Sequence, residues 1–84
     1  MATTQRTYTF YDDPGHAWLE VPKQDIRTLR VSVTPWSYMC GPLAYLEEDC
    51  DAPAFLRAAR DAGWMIDIRE ERDTMGIRRM PQYR

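Results

Sequence analysis

The sequence predicts a small α+β domain with a mainly antiparallel sheet of about five to six short strands, in the order ββα-ββ-α-ββ, and one main helix packed on a face. Two observations support this prediction. Short segments rich in β-branched and aromatic residues alternate with turn residues, and one longer segment has apolar residues at helical spacing. With 84 residues, the chain has room for one core and therefore for a single domain, residues 1–84.

Residues 7–11 and 17–21 predict the first two strands, because β-branched and aromatic side chains dominate both. A Pro-Gly pair lies between them, where proline presets φ and glycine adopts a positive φ without steric cost. We therefore expect an antiparallel hairpin. Pro22 is then suited to the first turn of a short helix over residues 23–29.

The middle and the end of the chain predict further strands. Residues 31–33 resume a β-branched pattern that residues 36–39 can continue, and residues 43–46 follow a Gly-Pro turn. After the main helix, residues 64–69 alternate as a strand, and residues 77–80 are expected to form the last strand.

The main helix is predicted to start at Asp51, a suitable N-cap residue, and to stop at Gly63. Its apolar face consists of Phe55, Leu56, Ala59 and Ala62. Residues 1–5 are expected to be a loose terminus and residues 81–84 a tail.

The chain has neither an apolar run long enough to span a membrane nor the core of a signal peptide, so we expect a cytoplasmic protein without membrane contact. In that compartment Cys40 and Cys50 are expected to be reduced thiols rather than a disulfide. A monomer and a homodimer are both compatible with a small sheet of this kind.

Charges are segregated along the chain although the net charge is only −2. Residues 31–56 contain no Lys or Arg, and their only charges are Glu47, Glu48, Asp49 and Asp51. Residues 69–84 contain five Arg against three acidic residues. One acidic segment and one basic tail make the surface polarised, which favours an interaction role.

The four carboxylates have three interpretations. They can stabilise the positive end of the following helix, by about 0.3–1 kcal/mol each. They can also form a protein-binding face, or bind a hard cation such as Mg²⁺ or Ca²⁺. The segment lacks EF-hand spacing, so no metal site is predicted.

The sequence predicts no enzyme and no cofactor. His16, the only histidine, lies in a turn, and no neighbouring residue is an evident nucleophile. Catalysis by His16 with either cysteine, and a zinc site made from the same residues, are alternatives that the spacing disfavours. Phosphate-binding, metalloprotease and nucleophile-elbow motifs are absent from the sequence.

Ten aromatic residues are more than so small a core can hide completely, and exposed Tyr and Trp often anchor interfaces. Trp36, Tyr38 and Tyr83 flank prolines or the terminus and are expected to lie outside. Three arginines of the tail are candidates for contact with phosphate or an acidic partner, the alternative being a solvated tail. They are Arg78, Arg79 and Arg84.

Four motifs together resemble a group of small uncharacterised proteins carried by bacteriophages and other mobile elements. The motifs are DPGHAWLEVP over residues 13–22, SYM with the following Gly41, YLEEDCD over residues 45–51, and Ile77-Arg78 with Tyr83. The resemblance carries over no catalytic residue. It implies an accessory protein that binds a host machine.

The expected function is therefore that of a non-catalytic binder of a host protein or protein–nucleic-acid complex, such as an anti-CRISPR-like inhibitor of a host defence complex. Its partner-binding residues would be the four carboxylates together with Trp36, Tyr38, Arg78 and Arg79. The alternative is a small nucleic-acid-binding regulator that uses the Arg-rich tail and aromatic stacking.

Overall fold

The computed structural model describes residues 3–84, and five strands of this part of the chain form one mixed sheet. The elements are β1 (Gln5–Asp13), β2 (His16–Pro22), α1 (Lys23–Leu29), β3 (Tyr38–Cys40), β4 (Leu43–Glu47), α2 (Asp51–Asp61) and β5 (Met65–Arg72), followed by a 3₁₀ turn at Ile77–Arg79. The strand order is β3-β4-β2-β1-β5, and only β5 runs parallel to its neighbour. The predicted α+β class is confirmed.

The hairpin of β1 and β2 forms the centre of the sheet, as predicted. Gly15 has a φ of 103°, which favours glycine, so the chain reverses within two residues. The register pairs Tyr11 with Trp18, and on its other side Trp18 pairs with Glu47 of β4. Trp18 therefore lies in the middle of three adjacent strands.

The sheet has an apolar core on each face. On the first face, α1 and α2 cover a cluster of buried residues, and Phe55 of α2 packs edge-on against Tyr8 with ring centroids 5.5 Å apart. On the second face, Trp18, Tyr45 and Ile77 are buried together beneath the C-terminal segment. Alternation along β2 explains this division, because Leu19 and Trp18 point to opposite faces.

Residues 31–33 do not form the predicted strand. Arg30 adopts the left-handed conformation, with a φ of 56°, and the amide of Val31 donates to the carbonyl of Ile26. This reversal brings Val31 and Val33 back onto the first core as irregular chain. Tertiary packing therefore overrides their β propensity.

The last predicted strand, residues 77–80, is instead a 3₁₀ turn followed by extended chain. The Asp73 carboxylate accepts hydrogen bonds from the amides of Met75, Gly76 and Ile77, and these bonds fix the start of the turn. Ile77 is fully buried in the second core. One tight turn is therefore enough to place its side chain there, without strand pairing.

The two ends of the described chain are attached to the sheet rather than loose. The amide of Met65 donates to the carbonyl of Thr4, and Gln5 already belongs to β1; residues 1–2 of the expected loose terminus lie outside the described residues. At the other end, Gln82 forms an isolated antiparallel bridge with Tyr38. Between residues 3 and 84, no helix has the length and apolar character needed to cross a membrane.

Candidate functional site

A buried carboxylate organises the loop between α1 and β3. Asp51 is only 2% exposed, and its side chain accepts hydrogen bonds from the amide and the hydroxyl of Thr34 and from the hydroxyl of Ser37, the two hydroxyl contacts being 2.6 and 2.5 Å. Ser37 Oγ in turn accepts the amide of Glu47 at 2.9 Å. We call Asp51, Thr34 and Ser37 the Asp51 network. It fixes the loop against the end of β4.

The Asp51 side chain is therefore not the helix cap that the sequence predicted. Cys50 occupies the N-cap position of α2, and its side chain makes no capping hydrogen bond. Asp51 also cannot contact a partner as predicted, because its carboxylate is buried and accepts hydrogen bonds from residues of the same chain. The sequence placed Asp51 with its acidic neighbours, but the start of the helix turns it into the interior.

The other three acidic residues of the stretch do not form one face either. The Glu47 carboxylate accepts the amides of Asp49 at 2.7 Å and Cys50 at 2.9 Å, which holds it at the end of β4. Asp49 is exposed, whereas Glu48 is half-buried and lines two shallow depressions with Phe10 away from the groove described next.

An open groove of about 530 Å³ lies on the second face of the sheet, between the loop fixed by the Asp51 network and the 3₁₀ turn. Its volume falls in the range of about 300–1,000 Å³ that is usual for binding sites. The lining residues are His16, Trp18, Trp36, Tyr38, Glu47, Asp49, Cys50 and Arg78. Five of the eight predicted partner-binding residues are thus brought together: Trp36, Tyr38, Glu47, Asp49 and Arg78.

Aromatic rings form the floor and one wall of this groove. Trp18 is almost completely buried, stacks on the His16 ring with centroids 5.9 Å apart, and meets Tyr38 edge-on at 6.1 Å. Trp36 is 74% exposed, which confirms the prediction of its exposure, and its amide donates to the hydroxyl of Thr34. Tyr38, which was also expected outside, is half-buried against the second core.

Arg78 closes the opposite side of the groove and is held by three partners. Its guanidinium forms a two-point ion pair with Asp13, at 2.6 and 2.9 Å, and also donates to the carbonyl of Pro14 and to Nδ1 of His16 at 2.8 Å. The guanidinium hydrogen bond lowers the pKa of the Asp13 carboxyl below its usual value. Arginine can only donate, so Nδ1 of His16 faces a donor in this contact.

Two residues predicted at the site lie elsewhere in addition to Asp51. Glu48 and Arg79 do not line the groove, although Arg79 is exposed. Tyr83, which was expected outside, is half-buried against the first core. The sequence interpretation missed Trp18, His16 and Cys50 as lining residues. The pairing of Trp18 with Glu47 across β2 and β4 is the signal that would have placed these residues beside the acidic stretch.

The groove offers binding surface, and His16 and Cys50 both line it. His16 Nδ1 is engaged by Arg78, and in residues 3–84 no side-chain hydrogen bond joins it to a thiol or hydroxyl nucleophile. Cys40 and Cys50 are free and exposed. Within the same residues, no group of three His, Cys, Asp or Glu side chains is placed to hold a metal ion.

Comparison with protein-family models, with curated proteins and with solved structures finds no significant match. The resemblance to phage and mobile-element proteins therefore stays a prediction.

Proposed function

We propose that the protein is a non-catalytic binding protein that docks another macromolecule, in the first place a protein, in the groove. The observation that carries the proposal is the position of Trp36. A large apolar side chain is 74% exposed at the rim of a groove, on a loop that the Asp51 network holds in place.

The rigid loop matters because binding costs conformational entropy at every side chain that must be ordered. Two sets of hydrogen bonds support the residues around Trp36: Ser37 donates its amide to the carbonyl of Thr34, and the Thr34 side chain is bonded to Asp51. Interface hot spots are enriched in tryptophan, tyrosine and arginine that are positioned in this way. Trp36, Tyr38 and Arg78 supply all three residue types at one site.

The expected role as an inhibitor of a host defence complex is one specific form of this proposal. It rests on the resemblance of the motifs to proteins of mobile elements. Docking in the groove is the physical step that such an inhibitor requires, since the chain would act by occupying a surface of its target.

The alternative, a nucleic-acid-binding regulator with a free Arg-rich tail, has less support. The Arg78 charge is offset by the two-point contact with Asp13. The tail is docked, because the amide of Met39 donates to the carbonyl of Pro81 and the amide of Tyr83 to the carbonyl of Ser37. A docked tail with one of its arginines already paired is poorly suited to follow a phosphate backbone.

Site-specific photo-crosslinking tests the proposal. A photoreactive phenylalanine analogue replaces Trp36 in one variant and Met65, which is 59% exposed on the distant β5 edge, in a matched control. After irradiation in a host lysate treated with nuclease, we expect one protein to be crosslinked through position 36 and not through position 65. Equal patterns from both positions, or crosslinks only to nucleic acid in an untreated lysate, would contradict the proposal.

A further inference from the structure

We infer that the groove receives an arginine side chain projecting from a basic segment of the partner protein. This inference deepens the proposed function and rests on it. It specifies the chemistry of the ligand group, which the proposed function leaves open.

The charge of the groove favours a cation. Glu47 and Asp49 contribute negative charge at one side, and Arg78, the cation in the lining, is paired with Asp13 behind it. Together with Asp13, the site therefore has three carboxylates against the one guanidinium of Arg78.

The Glu47 carboxylate is already oriented before any ligand arrives. Both of its oxygens accept backbone amides, at 2.7 and 2.9 Å, and its own amide is held by Ser37. Each oxygen keeps a further lone pair for an N–H donor. A ligand guanidinium thus meets a fixed acceptor, and little side-chain entropy is lost on binding.

The aromatic rings select a flat cation. Trp36 presents an exposed indole, and Tyr38 and the almost completely buried Trp18 line the same groove. Guanidinium groups stack on such rings and are less strongly hydrated than ammonium groups. An arginine can therefore stack on aromatic surface while its N–H groups point to the carboxylates, whereas lysine offers only a point charge.

Titration of short peptides into the ¹⁵N-labelled protein tests the inference. The probe is a blocked Gly-Gly-Arg-Gly-Gly peptide, and its matched control carries citrulline, which has nearly the same shape without the charge. Peptides with lysine or glutamate at the central position complete the set. We expect the arginine peptide to shift the indole signal of Trp36 and the amides of Glu47 and Asp49. The citrulline peptide should bind at least about tenfold more weakly, because it lacks both the ion pair and the cation–π contact.

Variants locate the binding. Trp36→Ala should abolish the shifts, and Asp49→Asn should weaken binding several-fold without removing any side-chain hydrogen bond of the fold. Glu47→Gln should weaken it further. Glu71→Gln, an exposed position on β5, is the matched control and should leave the affinity unchanged.

Four outcomes would overturn the inference: equal binding of the arginine and citrulline peptides, equal or stronger binding of the lysine peptide, stronger binding of the glutamate peptide, or no shift with any peptide. If one of these results is obtained but a partner protein is crosslinked through position 36, the proposed function stands and only the inference of an arginine ligand is rejected. Failure of that crosslink would instead remove the proposed function.

Discussion

Replacing Asp51 by asparagine separates the two roles considered for this residue, that of a helix cap and that of the acceptor of a buried network. Asparagine is as good an N-cap as aspartate, so a capping role predicts almost no change in stability. In the observed network, Ser37 Oγ already accepts the Glu47 amide and must donate its hydrogen to Asp51. Both the Thr34 and the Ser37 hydroxyls donate to Oδ2, so an asparagine oxygen in that position can still accept both. The new NH₂ group then takes the place of Oδ1 and faces the Thr34 amide, donor against donor, and the acceptor has lost its charge.

The expected magnitude for Asp51→Asn follows from the weaker acceptor, since a hydrogen bond to a charged group contributes about 1.5–3 kcal/mol and one between neutral groups about 0.5–1.5 kcal/mol. In Asp51→Ala the hydroxyl of the fully buried Ser37 loses its acceptor, at a cost of about 1–3 kcal/mol, and the bonds from Thr34 are lost too. Thr34 is half-buried and reaches water, and the desolvation of the carboxylate is relieved, so the second loss adds less. We therefore expect Asp51→Asn to cost about 1–3 kcal/mol and Asp51→Ala about 2–4 kcal/mol of the free energy of unfolding.

These costs are large for a chain of this size. At about 0.05–0.15 kcal/mol per residue, an 84-residue domain is stabilised by about 4–13 kcal/mol in total. Urea unfolding followed by far-UV circular dichroism measures the change, and the melting temperature of Asp51→Ala should fall by about 10–20 °C. Asp61→Ala at the exposed end of the same helix is the control, and it should be neutral or slightly stabilising.

An Asp51→Asn variant as stable as the natural protein, together with a loss of only about 1 kcal/mol in Asp51→Ala, would refute the network argument and restore the helix-cap interpretation.

Three further predictions concern other parts of the fold. Burial and the hydrogen bond to Asp25 raise the pKa of Tyr8 above its ordinary value of 10, so the stabilisation by the protonated Tyr8 is complete below pH 10 and is lost as the pH rises through the folded value. Burial and the hydrogen bond to Glu20 raise the pKa of Tyr45 as well, so absorbance at 295 nm should show late-titrating tyrosines whose number Tyr8→Phe lowers by one, and an unchanged late amplitude in Tyr8→Phe would contradict the prediction. Arg78→Gln should raise the lowered pKa of Asp13, measured by NMR titration of the carboxyl group. The ion pair stabilises the fold above the unfolded pKa of about 4, and this stabilisation is lost as the pH falls through the folded value. An unchanged pKa in the variant would show that the ion pair is absent in solution. Ile77→Ala should cost about 2–4 kcal/mol in urea unfolding, because the side chain is fully buried, and a cost below about 1 kcal/mol would show that the C-terminal segment is not part of the core.

Local sequence patterns predicted the elements that depend on neighbouring residues. The β1–β2 hairpin follows from its Pro-Gly turn, α1 from Pro22 at its start, and α2 from its apolar spacing. Patterns of this kind contain no information about distant pairing. The parallel contact of β1 with β5 joins residues that are 60 positions apart, as in the pair Gln5 and Met65, so it could not be foreseen.

The candidate site was predicted only in part, because neighbours in sequence are not neighbours on a surface. Successive residues of a strand point to opposite faces, and a helix start turns its residues through about 100° each. Glu47 therefore faces the groove, Glu48 lies away from it and Asp51 is buried. Residues 47–51 look like one acidic patch in the sequence and have three different environments in the fold.

The Asp51 network couples the stability of the domain to the shape of its groove. The buried Asp51 carboxylate, at the start of α2, holds Thr34 and Ser37, and through them the loop with Trp36 and the end of β4 with Glu47. A mutation of Asp51 that only destabilised the fold would leave the affinity of the remaining folded molecules unchanged. Because the network also fixes the aromatic and acidic walls, folded Asp51→Asn molecules should bind more weakly as well, so the loss of affinity should persist at low temperature where the variant is fully folded.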